Sequence, residues 1–385
     1  MAESHAKKTV PIVFLTDSKY ALPTGVAIRS LIDHWAGVRP IRIYVIVHQV
    51  CDNDCARLKR FQSKDVTLEL LDPEFDNDTL ERYYDEGSYV SATSMLKFCI
   101  PRLLPDDDTI LYLDGDILIQ KDISPMTALD VTGYYAAAVE DIAAVESAKL
   151  HEMVGVKRYF NSGVILLNAK RFREESLEET MFAIGKAHPE YKCTDQSVFN
   201  KGFEEDVLWL SPKWNLMTFN LIQNQYTMAQ INAFYGTTYR DIHNMERQAV
   251  LIHLTNEFKP WKYRDVYRSR EWKRVFRRTP FSDVPLSLIR VVNTQIVLID
   301  NVPQQQISVR YGPIVKEWTG TKTVVMLFQI PIATKTKLPA LHEIRILGIP
   351  LIRKEYNSEL VTTRVLGVPI RKQANHESNA NRFEQ

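Results

Sequence analysis

Short apolar runs alternate with helical patterns over the first two-thirds of the chain, and that alternation leaves few folds open. Residues 10–15, 41–47, 66–71 and 109–113 each read as a buried strand. Residues 24–35, with apolar Val26, Ile28 and Leu31, and residues 54–61 read as helices; 96–104 carries a helical pattern broken near Pro101. Strands alternating with helices at this pitch predict a mostly parallel α/β sheet. Ligands of such sheets collect beyond the carboxyl ends of the strands, so the residues that follow each run are the ones to weigh.

From about Phe281 helical periodicity fades, and Pro313, Pro331, Pro350 and Pro369 recur every 18 or 19 residues. The clearest copies run from Arg345 to Lys354 and from Arg364 to Lys372. The unit reads as apolar strand, Gly-x-Pro turn, apolar strand and basic end. Residues 304–373 hold 11 Lys/Arg against 4 Asp/Glu. Such a β-rich appendage either leaves its basic ends in water or docks on an anionic membrane surface, cations at the headgroups and Ile, Leu and Pro tips in the interface. The expected division is a domain over 1–283, a basic β-rich repeat module over 284–373, and a disordered tail over 374–385.

With 48 Lys+Arg against 47 Asp+Glu, the chain lacks the basic excess of a nucleic-acid coat. Its 45% hydrophobic content excludes a wholly disordered chain. Cys51, Cys55, Cys99 and Cys193 form no CxxC pair and no framework, which suits reduced thiols. The polar start and the brief apolar run at 10–15 do not read as a signal peptide. No stretch reaches the roughly 20 apolar residues that span a bilayer. A cytoplasmic protein is expected, with peripheral association at the inner face of the membrane as the module's further implication.

The stretch 110–119, Ile-Leu-Tyr-Leu-Asp-Gly-Asp-Ile-Leu-Ile, is the most informative about chemistry. An apolar run delivers Asp114 and Asp116 at its end, and residues two apart on an extended chain face the same side. Gly115 between them admits close approach to the backbone. Two carboxylates on one face repel unless a cation joins them or one stays protonated. Their hard oxygens suit Mn²⁺ or Mg²⁺, which would bridge the phosphates of a nucleotide. A surface turn with two Asp has the same pattern. A phosphatase that opens on a strand followed by DxD is a rival, but there the motif sits on the first strand with Thr or Val two residues past the second Asp; here that position is Leu118.

Other segments add polar groups at strand ends. Asp17 and Tyr20 follow the first strand, Asn161 and Ser162 enter the apolar run 160–168, and Asp195 and Gln196 open a helical pattern. His253 ends another apolar run, with Lys259 ahead of Pro260-Trp261. Each alone has a structural explanation: a cap, a satisfied core Asn, a helix-end His.

Taken in order, TDxxY, YLDGD, FNSGVILLN, DQ and H-x5-KPW over residues 10–261 resemble the family 8 glycosyltransferases. The resemblance implies a GT-A-type, Rossmann-like mixed sheet flanked by helices, and a retaining, metal-dependent hexosyltransferase. It implies a UDP-hexose donor, galactose or glucose, and a saccharide or lipid-linked glycan acceptor such as lipopolysaccharide, with no nucleic acid. It assigns Mn²⁺, or Mg²⁺, to Asp114, Asp116 and His253. The same resemblance places Leu15, Thr16, Asp17 and Tyr20 at the uridine, with Asn256 to Lys259 approaching the diphosphate. Lys97, Gly115, Asp141, Asn161, Ser162, Asp195 and Gln196 complete the donor site, Gln196 and Asp195 as the catalytic pair. Three positions depart from the family pattern: Lys97 stands where Arg is usual, Asn256 where Gly is common, and Lys19 in the uridine loop. Lys keeps the charge but loses the bidentate fork. A fold that kept this frame and lost catalysis, binding carbohydrate or a membrane surface, is the alternative; the complete set of candidate metal ligands speaks against it.

Overall fold

In the computed structural model the described residues are 9–73, 92–191, 194–204, 206–217, 226–255, 258–264, 266–286 and 288, together with backbone strands between 290 and 374. They form two compact units, one comprising the chain through Glu257 with Arg270–Pro285, the other Phe258–Ser269 and the chain from Leu286 onward.

The first unit holds β1 (Ile12–Asp17), β2 (Ile41–His48), β3 (Val66–Leu71), β4 (Thr109–Leu113), β5 (Ile117–Ile119), β6 (Ala136–Glu140), β7 (Phe160–Asn168), β8 (Val207–Leu210), β9 (Leu216–Met217) and β10 (Leu251–His253). Seven of these make one sheet in the order β3-β2-β1-β4-β7-β6-β8. The first four are parallel; β7 runs antiparallel to both β4 and β6, and β8 is parallel to β6. The expected mixed α/β sheet is therefore present, with its departure from parallel pairing confined to β7. That strand is buried at every position, as a central strand covered on both faces must be.

Helix α1 (Ala21–His34) buries Val26, Ala27, Ile28 and Leu31. It starts three residues before the sequence pattern suggests, because Pro23 is tolerated in a first turn where its missing N–H has no partner to lose. The 96–104 pattern resolves into a 3-10 turn, Ala92–Cys99, passing into Ile100–Leu103. Pro101 thus opens a helical turn and does not break one. The Thr194–Phe203 helix packs through Phe199 and Phe203: Phe199 meets Phe98 edge-on at 4.8 Å, and Phe203 stacks at 5.9 Å on Phe160 of β7. Contacts of this kind contribute about 0.5–1.5 kcal/mol each beyond burial. Three short strands form a second sheet, β5-β10-β9, with β10 antiparallel to β5 and parallel to β9.

The second unit contains a nine-stranded antiparallel sheet in sequence order: β11 (Arg290–Ile299), β12 (Val302–Tyr311), β13 (Ile314–Thr319), β14 (Lys322–Leu327), β15 (Ile330–Leu338), β16 (Leu341–Ile346), β17 (Ile349–Tyr356), β18 (Leu360–Val365) and β19 (Val368–Ala374). The repeat is a hairpin: Leu327 pairs with Ile330, Ile346 with Ile349 and Val365 with Val368. Pro331, Pro350 and Pro369 lie second in their strands, and a register shift follows each. Proline has no N–H to give the ladder, so a bulge is where a sheet can hold it. Pro313, Gly348 and Gly367 lie outside the described residues, as do 375–385 of the expected tail; Ala374 ends β19. Cys51, Cys55 and Cys99 are free thiols, and Cys193 lies outside the described residues. Among the described residues no helix is long and apolar enough to cross a membrane.

Candidate functional site

Strands β1, β4 and β6 end, and β7 begins, at one edge of the large sheet. Phe14 pairs with Leu113, so the segments leaving β1 and β4 emerge side by side. Antiparallel β7 brings its first residues to the same edge: the Asp114 N–H donates to Gly163 O at 2.8 Å, and the Asp141 N–H to Tyr159 O at 2.8 Å.

The small sheet supplies the third component. His253 ends β10 and pairs with Ile117 of β5 and Met217 of β9, and the Leu254 N–H donates to Asp116 O at 3.0 Å. One ligand atom from each of Asp114, Asp116 and His253 lies within 4.8 Å of the others. His253 Nε2 is 3.1 Å from Asp116 Oδ1 and 3.7 Å from Asp114 Oδ2. Gly163 keeps this space open, since a Cβ there would collide with His253 Cε1 and come within 2.5 Å of Asp114 Oδ2. Two carboxylates and an imidazole, converging with room between them, fit a divalent cation such as Mn²⁺ or Mg²⁺.

The remaining oxygen of Asp114 is held from the other side. Oδ1 accepts the Tyr112 hydroxyl at 2.6 Å and pairs with Lys97 Nζ at 3.1 Å. Lys97 Nζ also lies 2.8 Å from Asp195 Oδ2 and 3.4 Å from Ser162 Oγ. Burial by itself would lower the Lys97 ammonium, but the charges of Asp114 and Asp195 outweigh it and raise its pKa above the lysine range. Burial, then the charge of Asp114, lifts the Tyr112 phenol, which therefore stays a donor.

A chain of amides continues the cluster. Ser162 Oγ donates to Asp195 Oδ2 at 2.9 Å. Gln196 Oε1 accepts from Asn161 Nδ2 at 3.0 Å and from the Ser162 N–H at 3.1 Å, and Gln196 Nε2 donates to Asp141 Oδ2 at 3.4 Å. Desolvation pushes the Asp141 carboxyl up, against the N–H groups of Ala143 and Ala144 that donate to it. Asn200 ties the Thr194–Phe203 helix to β7, its side chain exchanging hydrogen bonds with the backbone N–H (2.8 Å) and C=O (2.9 Å) of Phe160.

Lys97, Asp114, Asp116, Asp141, Asn161, Ser162, Asp195, Gln196 and His253 are thus brought into one network. The segment after β1 is adjacent but occupied with its own turn. Asp17 Oδ1 accepts the N–H groups of Lys19 (2.8 Å) and Tyr20 (2.9 Å), Thr16 is buried and accepts from Thr24, and Leu15 is buried. Gly115 has a use of its own: the Thr24 side chain fills the space a Cβ would need. Lys259 is a buried residue of the second unit, and Asn256 lies outside the described residues. Sequence reasoning missed Tyr112, Asn200 and Asn215. Tyr112 carried a signal, standing two before Asp114 on the same strand face; Asn200 and Asn215 belong to no pattern.

The model of the family described as "Glycosyl transferase family 8" matches residues 11–265. Over 269 residues the chain is 28% identical to General stress protein A of Bacillus subtilis (strain 168), covering 66% of this chain and 91% of that protein. It is 23% identical to the lipopolysaccharide 1,2-glucosyltransferase of Escherichia coli (strain K12), covering 74% of this chain and 82% of the relative. Among solved structures, the galactosyltransferase LgtC, in complex with donor and acceptor sugar analogues, superposes with a TM-score of 0.56 at 21% identity, covering 72% of this chain and 98% of the other.

Proposed function

The chain belongs to glycosyl transferase family 8, and from that premise we propose that it moves a hexose from a UDP-sugar to a saccharide acceptor with retention at the anomeric carbon. The observation that carries this reading is the convergence of Asp114, Asp116 and His253 within 4.8 Å at the carboxyl edge of the sheet. A divalent cation held there, Mn²⁺ or Mg²⁺, would supply Lewis-acid neutralisation of charge on the departing diphosphate. The family resemblance assigns Lys259 as a second positive charge for the diphosphate.

The protein's own groups favour attack of the acceptor hydroxyl on the face the leaving group vacates, with a phosphate oxygen of UDP as base. Double displacement needs a free carboxylate below the anomeric carbon. Gln196 is an amide, and Asp195 is engaged by the Lys97 ammonium at 2.8 Å and the Ser162 hydroxyl at 2.9 Å, which weakens it as a nucleophile. Gln196 then stabilises the cationic sugar through its amide oxygen, and Asp195 positions a sugar hydroxyl. Asp141, Asn161 and Ser162 hold that pair in place. Leu15, Thr16, Asp17, Tyr20 and Gly115 are assigned to the nucleotide, and Asn256 with Lys259 to the diphosphate.

The acceptor in this reading is lipid-linked or lipopolysaccharide glycan at an anionic membrane surface, met by residues 304–373. Support comes from register. Lys337, His342, Lys354, Thr363 and Arg371 pair in turn across five strands, forming one row. Two residues along, Lys335, Ile344, Ile352 and Val365 form a second row on the same face. Neither row contains a carboxylate, so the register sets Lys and Arg positions next to Ile and Val positions, a pattern that suits an interfacial surface.

The test is UDP release from UDP-glucose and UDP-galactose, with and without Mn²⁺, in the parent chain and in Asp116→Asn. Release that needs Mn²⁺ and is lost in the variant is the expected outcome. Equal, metal-independent release in both would overturn the assignment.

A further inference from the structure

Asn215 is fully buried, immediately before β9, and its side chain lies between Asn161 and His253. Its orientation can be deduced without seeing hydrogens. The backbone N–H of Gly163 donates to Asn161 Oδ1 at 3.1 Å, which requires that atom to be oxygen. Asn215 faces the same oxygen at 2.9 Å, so the facing atom must be its Nδ2. The other end of the Asn215 amide, Oδ1, then lies 3.0 Å from His253 Nδ1. An amide oxygen only accepts, so Nδ1 must carry a proton. In the neutral ring the lone pair is left on Nε2, the nitrogen aimed at Asp116 Oδ1 and Asp114 Oδ2.

From this chain we infer that Asn215 is a positioning residue that fixes the tautomer and ring orientation of His253 for metal binding, an inference that rests on the metal site proposed above. The device is doubly anchored. Asn161, which sets the Asn215 amide, also donates to Gln196 Oε1 at 3.0 Å. The side of the site assigned to the metal and the side assigned to the sugar therefore share one line of amides. The small sheet makes this possible, since β5, β10 and β9 are adjacent and bring Asp116, His253 and Asn215 to neighbouring strand ends. Hydrogen-bond partners of metal-binding histidines commonly change metal affinity by about 10–100-fold when removed.

Two variants of the full chain test it. Asn215→Ala removes the acceptor. Asn215→Asp keeps an oxygen for the Nδ1–H but cannot donate to Asn161. Mn²⁺ affinity is read from the EPR signal of the free ion, and the presence of a proton on His253 Nδ1 from ¹⁵N shifts of the metal-free, histidine-labelled protein. The expected result is affinity about 10–100-fold weaker in Asn215→Ala with loss of the Nδ1–H tautomer, and both retained in Asn215→Asp. Unchanged affinity and tautomer in Asn215→Ala would overturn the inference, as would equal losses in the two variants, which would mark Asn215 as packing alone. A parent chain that binds no Mn²⁺ while holding the Nδ1–H tautomer would instead sink the metal reading and leave the orientation standing.

Discussion

Lys97 and Asp195 form a buried ion pair, Nζ to Oδ2 at 2.8 Å, each side chain only 6% exposed. The same ammonium lies 3.1 Å from Asp114, so one cation serves two carboxylates from different elements. Lys97→Met should lower the unfolding free energy by about 3–5 kcal/mol, because it strands those carboxylates without a shared cation. Urea denaturation reads this directly; a midpoint at the parent value would mean that water already screens the pair.

Gly163→Ala should disable the candidate metal site without disturbing the fold. The added methyl meets His253 Cε1 and Asp114 Oδ2, both of which must move for it to fit. Mn²⁺ affinity should drop at least about 10-fold while the far-UV CD spectrum stays at the parent shape. Binding as tight as in the parent would show that the ligands close around the cation some other way.

Gln196→Ala tests the assignment of the amide. Its oxygen is oriented by Asn161 and Ser162, so the side chain is preorganised and costs no rearrangement at the moment of reaction. Transfer should slow about 100-fold, with little change in KM for the donor. Full transfer rate in this variant would remove Gln196 from the chemistry.

Charge reversal along the basic row, Lys337→Glu with Lys354→Glu and Arg371→Glu, separates docking from catalysis. Each cation near an anionic surface contributes about 1 kcal/mol, so sedimentation with phosphatidylglycerol vesicles should largely disappear. UDP release in solution should stay within about twofold, since a surface dock adds nothing to a reaction run without membrane. Parallel loss of both would identify the repeat sheet as a support for the catalytic unit.

The layered α/β frame was legible before any coordinates because strand and helix write their periods locally. Residues 109–113 form a buried strand as their apolar run requires, and the run ends on Asp114 and Asp116 as read. The β-rich repeat was equally visible, since the proline spacing marks the hairpins at Pro331, Pro350 and Pro369. What local pattern misjudged was position within an element: Pro101 and Pro23 start helical turns, and the Pro331, Pro350 and Pro369 set sits at bulges inside strands.

Sequence alone therefore determined which residues carry charge, which strands end in them, and to which family the ordered motifs correspond. The family resemblance grouped His253 with Asp114 and Asp116, but only the tertiary structure showed the contact of His253 with Asp116 across 137 positions, Lys97 joining two carboxylates, and Asn215 behind the imidazole. The reason is physical: side-chain periodicity records which face of its own strand or helix a residue occupies. Partners reached through the pairing of β5, β10 and β9 depend on contacts between distant segments, and a lone asparagine leaves no periodic trace of them.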